Sequence, residues 1–544
     1  MEDPERILTE IKFLIETHHY KGAQIKLNES LDLILDKDYR RQLILQKVFL
    51  SLFQGEEISS GLLIELDDFL ESNLENKARA EILHAIADVE FHSGHFNETR
   101  IREYLQEALI LYQKLSNPKA IISVLNILAG LHCKNGQWNA LLKVLTEIFA
   151  LEEKFSDPAG YGRALLYFAI YERWQGSHDL AISHFEWASE FLEEAGDVYY
   201  LNICLNNLAD LEITRGRLVI GQHLLRRVLF GWRLIGHRQK EALILTQMGR
   251  AKVLKGDILE AKTFIDYANA LMRPGQSQNQ VDLVYELYIQ AELKINQGNL
   301  ERALQLAKKA LGITEELNFA GLDLAYARLL VTKIFLEMKK IDQAEEALEK
   351  SKEACALIDY SEGIVNNIRF KGILELEKVN LGLAQEYLEV ARKKAEEKNF
   401  IDLQIQTELS LADLYLRKLR INVDKESRKN AKRCLLRASY LVEQTPLEPK
   451  RLEARILQAI AHSIDLAFEK ALRILAKVEK RAKSLKLNLL VEKTRKVRAQ
   501  MLIASPKREL SEDELLGYIK KAQKYIMEAR PHLRPIEKDS RSLI

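Results

Sequence analysis

Glycine-centred turns recur along this chain at an almost constant interval. The turns are His92-Ser93-Gly94, Lys134-Asn135-Gly136, Trp174-Gln175-Gly176, Thr214-Arg215-Gly216, Leu254-Lys255-Gly256 and Asn296-Gln297-Gly298. A fixed period of roughly 40 residues marks a stack of identical supersecondary units, each packed only on its neighbours. It excludes most single-core globular folds at once.

The residues around each turn define the unit. Seven positions before the glycine stand Ala87, Ala129, Ala169, Ala209, Gly249 and Ala291. Five positions after it stand Ala181, Gly221, Ala261 and Ala303, and twelve after it Ala188, Ala268 and Ala310. With Lys339 and Val379 in the glycine's place, the same register continues through Thr332 and Gly372, Ala344 and Ala384, and Ala391. Two helices cross closely only where neither carries a bulky side chain. Each unit therefore reads as a helix, a tight turn ending in a left-handed glycine, and a second antiparallel helix. Leu, Ile, Tyr and Phe at helical spacing fill the space between units. Asn117-Pro118 and Asp157-Pro158 place a capping residue before a proline, which suits a helix start, and Ser511 with Glu514 forms a capping box. Arg273 to Gln278 is a breaker-rich loop.

This spacing of small residue, Gly and Ala, matched over roughly Ala78 to Ala391, resembles the tetratricopeptide repeat (TPR). The usual repeat is about 34 residues. The longer period here implies extra residues in the second helices or the connections, and is similar to the long repeats of kinesin light chain, the LGN/Pins adaptors and the MalT-type activators. The resemblance implies an all-α fold, a right-handed α-solenoid of about ten to twelve antiparallel helix hairpins. Its first helices would line a concave groove. In that register Asn126, Asn206 and Tyr288 (ten before the turn), Asp210, Arg250 and Glu292 (six before) and Arg173 (three before) face the groove, with Trp174 beside it. Asn suits a peptide backbone, and Arg, Tyr and Trp suit partly desolvated anchors; the competing reading is an ordinary solvated helix face. The Lys/Asn/Arg set by which chaperone-cofactor TPRs hold a C-terminal carboxylate is missing.

Four regions are expected. Residues 1–77 hold two hairpins of shorter period, turning near Lys21-Gly22 and Gln54-Gly55. Residues 78–400 form the regular array. Residues 401–530 form divergent, basic repeats in which Arg420 to Glu426 lengthens a turn, and a further hairpin runs from Lys450 to Lys483. Residues 531–544 are expected to be a disordered tail. A solenoid accommodates 544 residues without a larger globular core.

The sequence carries no Gly-rich phosphate loop, no Gly-x-Gly-x-x-Gly after a strand, no Cys-x-x-Cys and no His-Glu-x-x-His. No catalytic, cofactor or metal site is assigned. His84, His92 and His95 form the densest histidine cluster but read as polar residues at a hairpin end, since a metal site needs a further ligand. Cys133, Cys204, Cys355 and Cys434 are far apart and read as small core residues of a reducing compartment. The acidic start Met1-Glu2-Asp3-Pro4-Glu5-Arg6 has no apolar segment after it, so a cytoplasmic location is expected.

Net charge is only +1, but it is unevenly spread. Gly55 to Asn76 has seven acids and no Lys or Arg, whereas Lys450 to Gln500 carries fourteen Lys or Arg against five Asp or Glu. The basic stretch, with Lys477, Lys480, Arg481 and Lys483 at its centre, reads as a solvated face, as a dock for an acidic protein (another copy included), or as a phosphate contact for RNA or DNA. Phe468 is its only aromatic residue, which weakens single-strand readout. The expected function is a non-enzymatic scaffold or adaptor that holds a protein segment along the concave groove. The alternative is a regulatory or sensor module acting on a nucleic-acid machine through the basic C-terminal region. No membrane partner is expected.

Overall fold

The computed structural model describes residues 3–504 apart from 18, 34–35, 57–59, 73, 93–96, 272–279 and 317–320. Every regular element among them is an α-helix. The chain opens with α1 (Pro4–Glu16), α2 (Tyr20–Leu33), α3 (Lys37–Gln54) and α4 (Ser60–Glu71). The array follows as α5 (Asn76–His92), α6 (Glu98–Lys114), α7 (Pro118–Lys134), α8 (Trp138–Glu152), α9 (Pro158–Trp174), α10 (His178–Glu194), α11 (Val198–Thr214) and α12 (Leu218–Ile235). It continues with α13 (Arg238–Lys255), α14 (Ile258–Leu271), α15 (Gln280–Asn296), α16 (Leu300–Glu316), α17 (Leu322–Glu337), α18 (Ile341–Leu357), α19 (Ser361–Glu377) and α20 (Leu381–Glu397). The last hairpins are α21 (Ile401–Ile421), α22 (Lys425–Glu443), α23 (Glu448–Ile464), α24 (Phe468–Ser484) and the single helix α25 (Asn488–Ala504). These 25 helices make an all-α solenoid of antiparallel hairpins, twelve pairs and one odd helix.

Both helices of a hairpin share the extra length. In the middle of the array α9, α10 and α11 are 17 residues each, and three-residue connectors join them. Gly136, Gly176, Gly216, Gly256 and Gly298 all adopt positive φ, between 65° and 92°. Ser116, Gly196, Gly236, Asp359 and Asn399, at the other ends of the hairpins, also have positive φ, from 49° to 85°. The repeated element is thus a helix with a left-handed stop, returning at half the hairpin period. At Gly176 the stop is made by Gly176 N–H on Arg173 O (3.0 Å) and Ser177 N–H on Glu172 O (2.9 Å), which satisfy carbonyls the helix end would leave unpaired. Lys339 and Val379 take the same conformation, φ 58° and 65°, where the register expects a stop without glycine.

Three local expectations need correction. Gly22 lies inside α2, and the first hairpin turns before Tyr20, so Lys21-Gly22 is not a turn. Residues 420–426 do not form a long turn: α21 runs on to Ile421 and only three residues separate it from α22, so the helices absorb the additional length. Asn117 caps α7 through Ala120 N–H (3.2 Å), but Asp157 makes no side-chain cap at α9; its own N–H donates to Glu152 Oε2 at 2.9 Å. Gly94, His95, the Arg273–Gln278 loop, Ser511, Glu514 and the 531–544 tail lie outside the described residues.

The small-residue register marks the helix crossings. Ala87, Ala129, Ala169, Ala209, Ala291 and Thr332 are fully buried. A Cβ on Gly221 would lie 2.5 Å from Ile213 Cγ1 and 3.0 Å from Ala209 O. One on Gly249 would lie 3.2 Å from Ala261 O, and one on Gly372 2.7 Å from Leu388 Cγ. Gly221 and Gly249 sit opposite alanine and Gly372 opposite Leu388, so α11 meets α12, α13 meets α14, and α19 meets α20 with no room for a side chain on the glycine.

Odd-numbered helices pack on each other as well as on their hairpin partners: α7 on α9, α13 on α15, α17 on α19, α21 on α23. They form the inner layer. The superhelix winds tightly enough that successive turns touch. Gln54 Nε2 donates to Ile235 O (3.3 Å), Trp138 Nε1 to Ile358 O (2.7 Å), and Ser361 Oγ and Lys398 Nζ to Gln175 O (3.2 and 2.8 Å). Those contacts span 181 to 223 residues, which at roughly 40 residues per hairpin is about five hairpins per turn. Ile358 also packs on Gly136, Phe400 on Gly176 and Thr445 on Gly216, so the turn glycines are the seats on which the next turn rests.

Candidate functional site

Stacking of the turns converts the concave face into an internal lumen of about 920 Å³. Most of its wall comes from α5, α7, α9, α11, α13, α15, α17 and the start of α19, with Leu52 of α3, Leu63 of α4 and Arg100 of α6 adding to it. Measured from each turn residue, the lining positions recur at helical spacing. Arg173 and Trp174 stand two or three before it, and Asp210 and Arg250 six before. Nine before it come Tyr167, Asn207, Gln247 and Ile289; thirteen before, Ile203, Leu243, Tyr285 and Tyr326; sixteen before, Tyr200, Lys240, Asp282 and Asp323. Rings from different superhelical turns meet at the lumen wall: Tyr199 contacts Phe53 (centroids 5.6 Å apart), His92 (5.8 Å) and Trp232 (5.2 Å).

Besides the Arg100–Glu90 pair (3.2 Å), two charged groups face the lumen. In the first, Asp210 on α11 accepts from Arg173 on α9 and Arg250 on α13, and Tyr285 O–H reaches it at 3.3 Å. Arg250 also approaches Glu292 (3.7 Å), which accepts from Tyr326 O–H at 3.2 Å. Burial disfavours the Asp210 charge, but the two guanidiniums overcome it and hold the carboxyl at about 2. In the second group Lys240 Nζ bridges both oxygens of Asp282 (3.1 Å each), and Lys134 Nζ donates to Phe91 O at 2.7 Å. Burial, then the neighbouring Asp282, raises the Asp323 carboxyl to about 6. Burial, then Lys240, lowers the Lys134 ammonium to about 8. Lys134 is open to the solvent of the lumen yet ringed by protein, which is why burial acts on it.

Arg173, Trp174, Asn206, Asp210, Arg250 and Tyr288 all line this lumen. Asn206 Oδ1 and Gln247 Oε1 are buried there without a hydrogen-bond partner among the described residues. Tyr288 is buried, and its O–H donates to Asp323 O at 2.5 Å. Glu292 stands behind the wall, as the second acceptor for Arg250. Asn126 does not reach the lumen. It is buried between repeats, where its Nδ2 donates to Ile122 O and to Gly160 O, both at 3.1 Å. Asn206 and Tyr288 hold the same tenth position and do line the lumen, so the register does not set Asn126 apart; its amide is captured by Gly160 O of the next repeat. Gln247, Tyr285, Tyr326, Asp282 and Asp323 escape the sequence reading. Only an extension of the register to positions nine, thirteen and sixteen reaches them.

The basic residues Lys477, Lys480, Arg481 and Lys483 are exposed on α24. Arg481 pairs with Glu448 (2.9 Å) and Lys483 with Glu479 (2.8 Å), leaving Lys477 and Lys480 without an ion pair among the described residues. His84 contacts Ser123 Oγ (3.3 Å) and His92 pairs with Asp88 (3.1 Å). Among the described residues no group of three or more His, Cys, Asp or Glu is placed to hold a metal ion. Nor is any helix among them long and apolar enough to cross a membrane. All four cysteines are buried and unpaired with one another.

Hairpins stacked through small-residue crossings, with first helices inside, make a TPR-like helical repeat fold. No protein-family model and no curated protein matches the chain. Solved structures are similar to it at low identity. The APC/C hetero-tetramer Cut9-Hcn1 is 12% identical, with 98% of this chain and 95% of that chain covered and a TM-score of 0.48. A Rap protein complexed with competence and sporulation factor is 17% identical (74% and 99% covered, TM-score 0.45). The Rap conjugation gene regulator of the plasmid pLS20, in complex with the Phr* peptide, is 14% identical (76% and 97% covered, TM-score 0.42).

Proposed function

We propose that this chain is a non-enzymatic scaffold that receives a short polypeptide segment of a partner inside its lumen. The observation that carries this reading is the pair of amides, Asn206 and Gln247, whose carbonyl oxygens stand buried and unbonded in the lumen wall. A buried unbonded acceptor is costly, and a peptide N–H in the lumen would satisfy it once the amide side chain turns out from the wall. The volume, near the upper end of the range of about 300–1,000 Å³ for small-ligand sites, suits a short segment and not a long one. A preformed helical wall limits the ordering needed on binding.

The alternative, regulation of a nucleic-acid machine through α24, keeps only Lys477 and Lys480 as unpaired cations of its four. Affinity capture from native extract, with and without nuclease, separates the readings. Asn206→Ala with Gln247→Ala is expected to abolish capture of a partner that survives nuclease. Lys477→Gln with Lys480→Gln is expected to leave it unchanged. Nuclease-sensitive capture, lost only in the lysine variant, would favour the alternative.

A further inference from the structure

At the start of α19 the lumen's charges do not balance. In the second charged group, Lys134 and Lys240 face Asp282 and Asp323, two against two. In the first, Arg173 and Arg250 are already engaged by Asp210 and Glu292. Glu362, in the first turn of α19, is a third carboxylate on that side. It makes no hydrogen bond and no ion pair among the described residues. It lies close to the edge-on ring pair of Trp174 and Tyr360, whose centroids are 4.7 Å apart. Arg173, Arg250, Asp210 and Asp402 are the charged groups in its field, two of each sign besides itself.

We propose that the segment held in the lumen carries a cationic group, a primary amine or a guanidinium, and that this group sits against Glu362 beside the Trp174–Tyr360 rings. The proposal rests on the lumen reading above and deepens it. A carboxylate supplies the counter-charge, and the neighbouring rings exclude water around it, which strengthens its pairing with a cation. In the free protein, burial, only partly offset by Arg173, pushes the Glu362 carboxyl up to about 7. A bound cation reverses that, so binding expels the proton that Glu362 otherwise keeps.

The probe is a library of random seven-residue peptides, one arm with free N-termini and one acetylated, incubated with the full chain at pH 7.5 and read by mass spectrometry. Enrichment of Lys or Arg in both arms assigns the cation to a side chain. Enrichment confined to the free arm assigns it to the terminal amine. Glu362→Gln is expected to remove the cationic preference and weaken the best peptide at least about tenfold. The ionised fraction of a carboxyl titrating at about 7 falls from about nine-tenths at pH 8 to one-tenth at pH 6, so wild-type affinity for an acetylated peptide bearing Lys or Arg should fall about tenfold over that interval. For a terminal amine, itself half-neutral at about pH 8, it should fall by less. The Gln variant should be flat. Peptides selected without cationic preference, or a wild-type profile that is flat with pH, would overturn the assignment while leaving the lumen reading intact. No selected peptide in either arm would overturn both.

Discussion

Replacing Gly221 by alanine tests whether the helix crossings hold this solenoid together. In an unobstructed helix the change would stabilise, because glycine in a helix interior costs about 1 kcal/mol relative to alanine. Gly221 is not unobstructed: the new Cβ would stand 2.5 Å from Ile213 Cγ1 and 3.0 Å from Ala209 O. Ile213 is buried, so its side chain has little room to turn away, and the carbonyl can yield only if α11 and α12 separate. Overpacking of this kind costs about 1–3 kcal/mol. The net expectation is a loss of up to about 2 kcal/mol, the difference between those two figures. Gly312 in α16 is the internal control, since a Cβ there meets nothing within 4 Å. Gly312→Ala should gain about 0.5–1 kcal/mol. Urea denaturation followed by circular dichroism compares the midpoints of both variants with the parent. If Gly221→Ala raises the midpoint as Gly312→Ala does, the crossing is looser than described and the small-residue register has lost its physical meaning.

Further outcomes follow from the same geometry. Asp210→Ala leaves Arg173 and Arg250 without their shared acceptor and should destabilise by about 3–5 kcal/mol, seen as a lowered denaturation midpoint. Val379→Gly should stabilise by about 1 kcal/mol or more, because a β-branched residue at φ 65° is strained and this one is exposed; an unchanged Tm would count against it. Trp138→Phe strips Ile358 O of its indole donor at a cost of about 1–3 kcal/mol, confined to the contact between turns, so hydrogen exchange should rise around residues 358–361 before the rest of the array responds. Asp323 and Glu362 have folded-state values raised to about 6 and about 7. Their contribution is therefore full below the ordinary carboxyl range and is lost as pH rises through 6 to 7, and Asp323→Asn with Glu362→Gln should flatten the fall in Tm between pH 5 and 8.

The local architecture is legible in the sequence because it depends on neighbours in the chain. Glycine stops and small crossing residues lie within one hairpin period, so their spacing is visible. The register even locates left-handed stops at Lys339 and Val379, where no glycine marks them. Gly22 misleads because it falls near a suitable spacing for a stop, while α2 carries it inside the helix. The lumen is half legible. Positions six and three before the turn lead to Asp210, Arg250 and Arg173, and the tenth leads to Asn206 and Tyr288 but also to Asn126, which Gly160 O draws into the packing between repeats. Closure of the superhelix is not legible at all. It depends on contacts such as Trp138 with Ile358, made by ordinary residues 220 positions apart whose pairing no local period records.

The most direct test of the account places the photocrosslinker p-benzoylphenylalanine at Tyr326, in the lumen wall, or at Trp187, on the outer layer with 52% of its surface exposed. Irradiation in native extract should yield a covalent polypeptide adduct from position 326 and none from position 187. An adduct from 187 alone would place the partner on the outside of the solenoid and contradict a lumen that receives it.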